Sequence, residues 1–403
     1  MSGIADELTE EAGLTPEPGE GLRVQELVET DDLVRQGQPV LRLRAAPEIV
    51  LTAPMGGRVA SIQFRPGHRL VQLVLFREDG ADREQFATDG AEADPVKLRQ
   101  LMQGAGLWRA LRSRPFGHMP HHDEAPTAIF VMAADTRPGA ADPIQMITGR
   151  EEDFSRGLMA LSGLTEGPIF VVAGQGALPD FGTSGAKLIH AGKLHPMGMA
   201  GMIIHQHFPA RPDRRVWDIH AEDVADLGAL LLGGLLPATK TLSLTGAALR
   251  EPKLLRCQPG ADLRGLSQPW VKPGLHEVLT GSPLDGKAAH WLGTRDRQAS
   301  ILPVGARKPR KHWFQAALAT AARPLPIIPT AALIQAMGGR AMPVAALIRA
   351  LGAGDGETAV RLGVLSLLEE DMALADYVSA ADPPLSHQLR EILDRVKAEE
   401  GEA

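Results

Sequence analysis

Histidines at positions 195, 205 and 207 are the residues whose type and spacing come nearest to a metal centre. In the run His195-Pro196-Met197-Gly198-Met199-Ala200-Gly201, followed by His205-Gln206-His207, an extended backbone would put His205 and His207 on one face. Two imidazoles offered together, with His195 or His220 as a third donor, could hold a metal. No carboxylate stands at a recurrent ligand spacing beside them, so a turn-and-packing role for His-Pro-x-Gly-x-x-Gly is the preferred reading and no metal is assigned.

A second group, His118, His121, His122 and Asp123, lies near Arg112 and Arg114 and reads as a solvated loop. Gly174-Gln175-Gly176 follows an apolar run and opens like a dinucleotide-binding loop, but Leu178-Pro179-Asp180 breaks the glycine spacing that a pyrophosphate needs. His190 and Lys193 offer charge to an anionic ligand there. The chain has no Gly-x-Ser-x-Gly elbow, Walker loop or His-Glu-x-x-His helix, so no catalytic residue is assigned. Trp108, Arg112, Arg114 and Phe116 make a basic and aromatic group that fits a partner surface. The competing reading, which is favoured, packs Trp108 and Phe116 into the core.

These residues must be positioned by several units, because 403 residues exceed what one core organises and predict roughly two to four domains. Apolar residues at 44% and charged ones at 23% are ordinary for a folded protein. A net charge of −7 without a long Lys/Arg block argues against a nucleic-acid partner. Cys257 is the sole cysteine, which excludes an intrachain disulfide, a cysteine zinc cluster and a complete cysteine-held iron–sulfur site. No run of eighteen or more apolar residues is present, and Ala225 to Leu236 is too short to span a bilayer. Membrane contact is therefore expected only through a partner.

Residues 1–20 are acidic and read as a disordered tail. Residues 21–86, with short apolar runs split by Gly and Pro, read as a small β unit. The pieces Asp32 to Val40 and Thr52 to Val59 are similar to a lipoyl-type barrel-sandwich hybrid, but Arg44-Ala45-Ala46-Pro47-Glu48 lacks the lysine that would carry a cofactor. Residues 87–238 alternate strand and helix: buried strands Ala128 to Ala133 and Pro168 to Ala173, a helix Phe154 to Leu164 between them, the apolar run Met199 to Ile204, and a helix Ala221 to Leu236. This is the pattern of a Rossmann-like α/β domain. Residues 239–306 return to short β-like runs, ADLRGL among them, and read as a β-grasp unit. Residues 307–403 read as a C-terminal helical region, basic at first, with helices at Val344 to Leu351, Glu357 to Leu368 and Ser386 to Lys397. The fold class is α/β, multi-domain.

Dispersed strings then carry a family resemblance. Gly106-Leu107-Trp108-Arg109-Ala110-Leu111-Arg112-Ser113-Arg114-Pro115-Phe116, Ala128 to Pro138 (AIFVMAADTRP), His195 to Gly201, Val216 to Val224 (VWDIHAEDV), Ser243-Leu244-Thr245-Gly246 and Leu367 to Leu374 resemble, in order and spacing, the A subunit of the sodium-translocating NADH:quinone reductase. That family is related in architecture to the C subunit of the Rnf complex. The resemblance implies a peripheral subunit on the cytoplasmic side of the bacterial inner membrane, held by integral and flavin-bearing subunits B to F. It implies a translocase in which NADH, flavins and iron–sulfur centres pass electrons to ubiquinone while Na+ moves outward. The A subunit is expected to carry no cofactor of its own, to be non-catalytic alone, and to be associated with quinone, whose headgroup Trp108, Arg112, Arg114 and Phe116 would then face. The family's C-terminal cysteines are replaced here by Leu374 to Ala381 (LADYVSAA), so no thiol role is expected there. Rival readings are a scaffold in an Rnf-like assembly and a stand-alone nucleotide- or flavin-binding redox protein.

Overall fold

The computed structural model describes residues 4–305 and 327–402, apart from Pro18, Asp79, Ala81, Gln175 and residues 177–183. Most of the dinucleotide-like loop and the basic segment that starts at Arg307 lie outside the described residues.

The chain opens with strands β1 (Ala5–Asp6) and β2 (Glu11–Leu14), which overturns the reading of residues 1–20 as a disordered tail. β2 pairs antiparallel with β8, and β1 adds in parallel to a strand some 250 residues later, Ala5 facing Leu255. Both pairings are non-local, so the acidic composition of the segment hides them.

β3 (Val24–Glu26), β4 (Leu33–Val34), β5 (Pro39–Leu43), β6 (Val50–Thr52), β7 (Gly57–Arg65) and β8 (Arg69–Arg77) complete two facing sheets, ordered β2-β8-β7-β4 and β3-β5-β6. Val40, Leu41, Leu51, Val59, Leu73 and Leu75 fill the space between them. Gly57 in the Ala-Pro-x-x-Gly motif is required by close approach, since a Cβ there would stand 2.0 Å from the Phe76 carbonyl oxygen. This is the barrel-sandwich hybrid. Its lysine-free hairpin is docked: Ala46 and Ile49 belong to the core of the following unit.

That unit begins with α1 (Pro95–Gly104), capped by the Asp94 carboxylate on the amides of Val96 and Lys97. Its sheet is β9 (Arg112–Arg114), β10 (Ala128–Ala133), β11 (Ile169–Ala173), β12 (Lys187–His190) and β13 (Val216–His220), in the order β12-β11-β10-β13-β9. All pairs are parallel except β13 with β9. α2 (Pro143–Ile147) and α3 (Glu151–Leu161) precede β11, α4 (Ala200–His207) precedes β13, and α5 (Ala221–Gly233) follows it. β10 and β11 are buried at every residue, which is why they read as continuous apolar runs. α3 and α5 touch backbone to backbone through Gly157 and Gly228.

β14 (Lys240–Thr245), β15 (Lys253–Cys257), β16 (His276–Thr280), β17 (Lys287–Ala288) and β18 (Gln298–Pro303) form a six-stranded mixed sheet together with β1, ordered β1-β15-β14-β18-β16-β17. The run ADLRGL, expected to be β-like, instead contains the start of α6 (Leu263–Ser267), capped by Asp262 on the amides of Arg264 and Gly265. From Ala331 to Glu402 the described chain is built mainly from helices and short 3-10 turns. The expected helix Glu357 to Leu368 ends early, at Arg361, because Gly363 (φ 91°) sits against the His205 ring and the chain turns there into a short 3-10 helix.

Candidate functional site

Trp108 is fully buried and packs edge-on against Trp217 with ring centroids 5.3 Å apart, its Nε1 donating to the Pro120 carbonyl at 3.0 Å. Arg114 on β9 is also fully buried. It pairs with Asp218 at 3.1 Å and Asp371 at 3.2 Å, and donates to the Ser366 carbonyl at 2.8 Å. Arg112 grips Asp218 at 2.8 Å and Glu370 at 2.9 Å. Phe116 lies in the core of the C-terminal helices. The four residues therefore form no exposed docking patch. The two arginines make a charged seam that joins the five-stranded sheet to the helical region.

Burial raises the Glu370 carboxyl, but Arg112 and Arg114 outweigh it and hold the group well below the usual carboxylate range. Asp371 goes the other way: burial lifts it to about 6 although Arg114 opposes the shift. Asp371 also accepts from the amides of Gly201 and Leu368 at 3.2 and 2.8 Å. A Cβ at Gly201 would lie 2.1 Å from its carboxylate oxygen, and one at Gly198 would lie 2.5 Å from Thr136. The two glycines of His-Pro-x-Gly-x-x-Gly let α4 approach these side chains.

The expectation that His205 and His207 share a face fails because they lie on a helix, where residues two apart point about 200° apart. His205 is half-buried against Gly363, His207 is exposed, and His195 Nδ1 faces Thr136 Oγ1 at 3.4 Å. Among the described residues, the metal-capable donors that converge are His121, His122 and Asp123.

A cavity of about 120 Å3 opens where the barrel-sandwich hybrid, the α/β unit and the six-stranded sheet meet. Leu14, Ala53, Leu107, Leu236 and Leu292 supply apolar wall, and Arg109, Asp226 and Lys240 supply charge. Arg109 is almost wholly buried and donates to the Thr15 carbonyl at 2.8 Å. Burial lowers Lys240 to about 8, with its Nζ donating to the Thr294 carbonyl at 2.7 Å. Burial and the neighbouring Glu222 push Asp226 up to about 7 despite Arg150 at 2.8 Å. Two groups that exchange protons near neutrality thus line one partly apolar pocket.

Sequence reasoning missed Arg109, Asp226 and Lys240. Arg109 lies inside the Gly106 to Phe116 string, Asp226 extends the acidic start of α5, and Lys240 opens β14. Each looks like an ordinary surface charge until the units close around it.

The strand order β12-β11-β10-β13 reverses direction between β10 and β13, the position where open α/β sheets accept ligands. Protein fills that crevice here. Ser243 Oγ donates to the Gly139 carbonyl at 2.8 Å, Gln298 Nε2 donates to the Pro138 carbonyl at 2.7 Å, and Arg297 pairs with Glu222 at 2.7 Å and also with Asp223.

A docked barrel-sandwich hybrid with a lysine-free hairpin, fused to an α/β unit with a filled switch-point crevice, defines the class of multi-unit protein. Residues 5–78 match the NqrA N-terminal barrel-sandwich hybrid domain, and residues 93–236 match the NqrA second alpha/beta domain. The A subunit of the Na(+)-translocating NADH-quinone reductase from Neisseria meningitidis serogroup A is 32% identical over 96% of this chain and 94% of its own length. Its counterpart from Pasteurella multocida shows the same identity and coverage, and that from Saccharophagus degradans is 31% identical over 94% and 92%. The chain belongs to the family of Na(+)-translocating NADH-quinone reductase A subunits. Among solved structures, an NAD+-reducing [NiFe]-hydrogenase overlaps 75% of this chain and 64% of its own at 12% identity and a TM-score of 0.43, too low to bear on function.

Proposed function

We propose that this chain acts as the A subunit of a membrane NADH:ubiquinone oxidoreductase that couples electron transfer to outward Na+ transport. The observation that carries the reading is identity of 32% across 96% of the chain, with 94% of the relative covered. In this reading the chain sits peripherally on the cytoplasmic side of the inner membrane, held by integral and flavin-bearing subunits B to F. Among the described residues no helix is long and apolar enough to cross a membrane, which agrees with attachment through partners.

Flavins and iron–sulfur centres belong to the partners, and this chain contributes position. The α/β unit is Rossmann-like in strand order, and its switch-point crevice is occupied by Ser243, Gln298 and Arg297 from the six-stranded unit, which is the β-grasp element of this reading. That packing favours a member of an assembly over a stand-alone nucleotide-binding enzyme. The junction cavity is the place on this chain for a quinone headgroup: its apolar wall suits the ring, Arg109 offers a donor to a carbonyl oxygen, and Asp226 and Lys240 titrate in the range useful for proton exchange.

The test is deletion and complementation in the native host. Membranes lacking the chain are expected to lose Na+-stimulated NADH:quinone turnover and to regain it when the gene is returned. Undiminished turnover in the deletion strain would overturn the reading.

A further inference from the structure

We propose that His121, His122 and Asp123 form a binding site for a divalent transition-metal ion of the zinc or nickel kind, with Glu48 from the barrel-sandwich hairpin holding the His122 ring. One ligand atom from each of the first three lies within 4.8 Å of the others. The two imidazole rings have centroids 4.4 Å apart. Two imidazoles with a carboxylate are a borderline donor set, which selects such ions over calcium or magnesium.

Each ring is already oriented. His121 Nδ1 lies 2.5 Å from the Asp123 carboxylate, and His122 Nδ1 lies 2.6 Å from Glu48. Glu48 on His122 Nδ1 fixes that tautomer and leaves Nε2 for a metal, and an ion bound by His121 and Asp123 would take the place of the proton they share. The loop is held as firmly as the rings. Arg99 and Gln103 of α1 donate to the His122 carbonyl at 3.0 and 2.7 Å, Trp108 Nε1 donates to the Pro120 carbonyl, and the Glu124 amide donates to the His121 carbonyl at 3.1 Å. Arg99 brings a positive charge close by, and Asp123 and Glu48 both remain to offset it. Glu124 is already used by Ser113 Oγ and Trp217 Nε1, so it is not part of the donor set.

The site draws on two units. Glu48 lies in the hairpin that carrier proteins of this fold use for their cofactor, and the histidines follow β9 of the α/β unit. A bound ion would polarise the His122 imidazole, strengthen its contact with Glu48 and so tie the hairpin to its neighbour.

The experiment uses the untagged full chain, stripped with a chelator and titrated with Zn2+ or Ni2+ by calorimetry, with melting followed in parallel. The expected result is one ion per chain and a raised melting temperature. Glu48→Gln should weaken binding by roughly 10–100-fold, and paired His121→Ala and His122→Ala should abolish it. These side chains are exposed or half-buried, so the variants are expected to keep the wild-type circular dichroism spectrum. His205→Gln and His207→Gln should leave the titration unchanged. Absence of saturable binding at submillimolar metal, or unchanged binding in the His121/His122 double variant, would overturn the proposal. Neither result bears on assembly with the reductase partners.

Discussion

Arg114 and Asp371, both without solvent exposure, meet at 3.2 Å across the seam between the five-stranded sheet and the C-terminal helices. A buried cation that loses its site leaves uncompensated carboxylates. Arg114→Ala should therefore destabilise the chain by about 3–5 kcal/mol, read from the urea midpoint, whereas Arg35→Ala at the surface pair with Glu84 should cost under about 1 kcal/mol.

The seam also sets a pH dependence through its depressed carboxyls. Glu370 and Asp218 ionise below their ordinary values in the folded chain, so the stability they contribute is present above about pH 4.5 and falls away as acid protonates them. Acid titration should release the helical region, seen as loss of the near-ultraviolet signal, and Glu370→Gln should move that transition to higher pH.

Asp226 has the opposite sign. Its folded value of about 7 lies above the ordinary 3.8, so its contribution is fully present below about pH 4 and is lost as pH rises through 7. Asp226→Asn should gain stability relative to the wild type between pH 5 and 8, by on the order of 1–3 kcal/mol, measured as the difference in urea midpoints at the two pH values.

At the α3–α5 contact, a Cβ on Gly157 would stand 1.9 Å from the Val224 carbonyl oxygen, and one on Gly228 would stand 1.8 Å from that of Asp153. Gly157→Ala should cost at least about 1–3 kcal/mol through forced separation of the helices. Gly352→Ala, where a Cβ meets open space in another helix, should be neutral or stabilising.

If the junction cavity receives a quinone, Arg109→Met should raise the quinone KM of the assembled complex by about 10–100-fold, the loss of one charged hydrogen bond, with kcat less affected. An unchanged KM would remove Arg109 from quinone contact.

Legibility in the sequence follows how local each interaction is. AIFVMA and PIFVVA are readable as strands because parallel strands covered on both faces need apolar side chains throughout. Met199 to Ile204 is readable as buried but not as helix. What fixes α4 is the approach of Gly198 to Thr136 and of Gly201 to Asp371, some 60 and 170 residues away. β1 and β2 escape notice for the same reason. The candidate site is less legible than the fold. Arg114 looks like a surface charge until its partners arrive from β13 and the C-terminal region, and Lys240 is buried by Gly293 and Thr294 only when β18 docks. His121, His122 and Asp123 are visible as a group, but the carboxylate that reaches them, Glu48, comes from another unit.

The most direct test of membership in a sodium pump is purification of the tagged chain from its native membranes, with mass spectrometry and a turnover assay on the eluate. The predicted result is co-purification of flavin-bearing and integral subunits B to F, with NADH:quinone activity that rises on adding Na+. A chain that elutes alone and binds NADH or flavin by itself would contradict it.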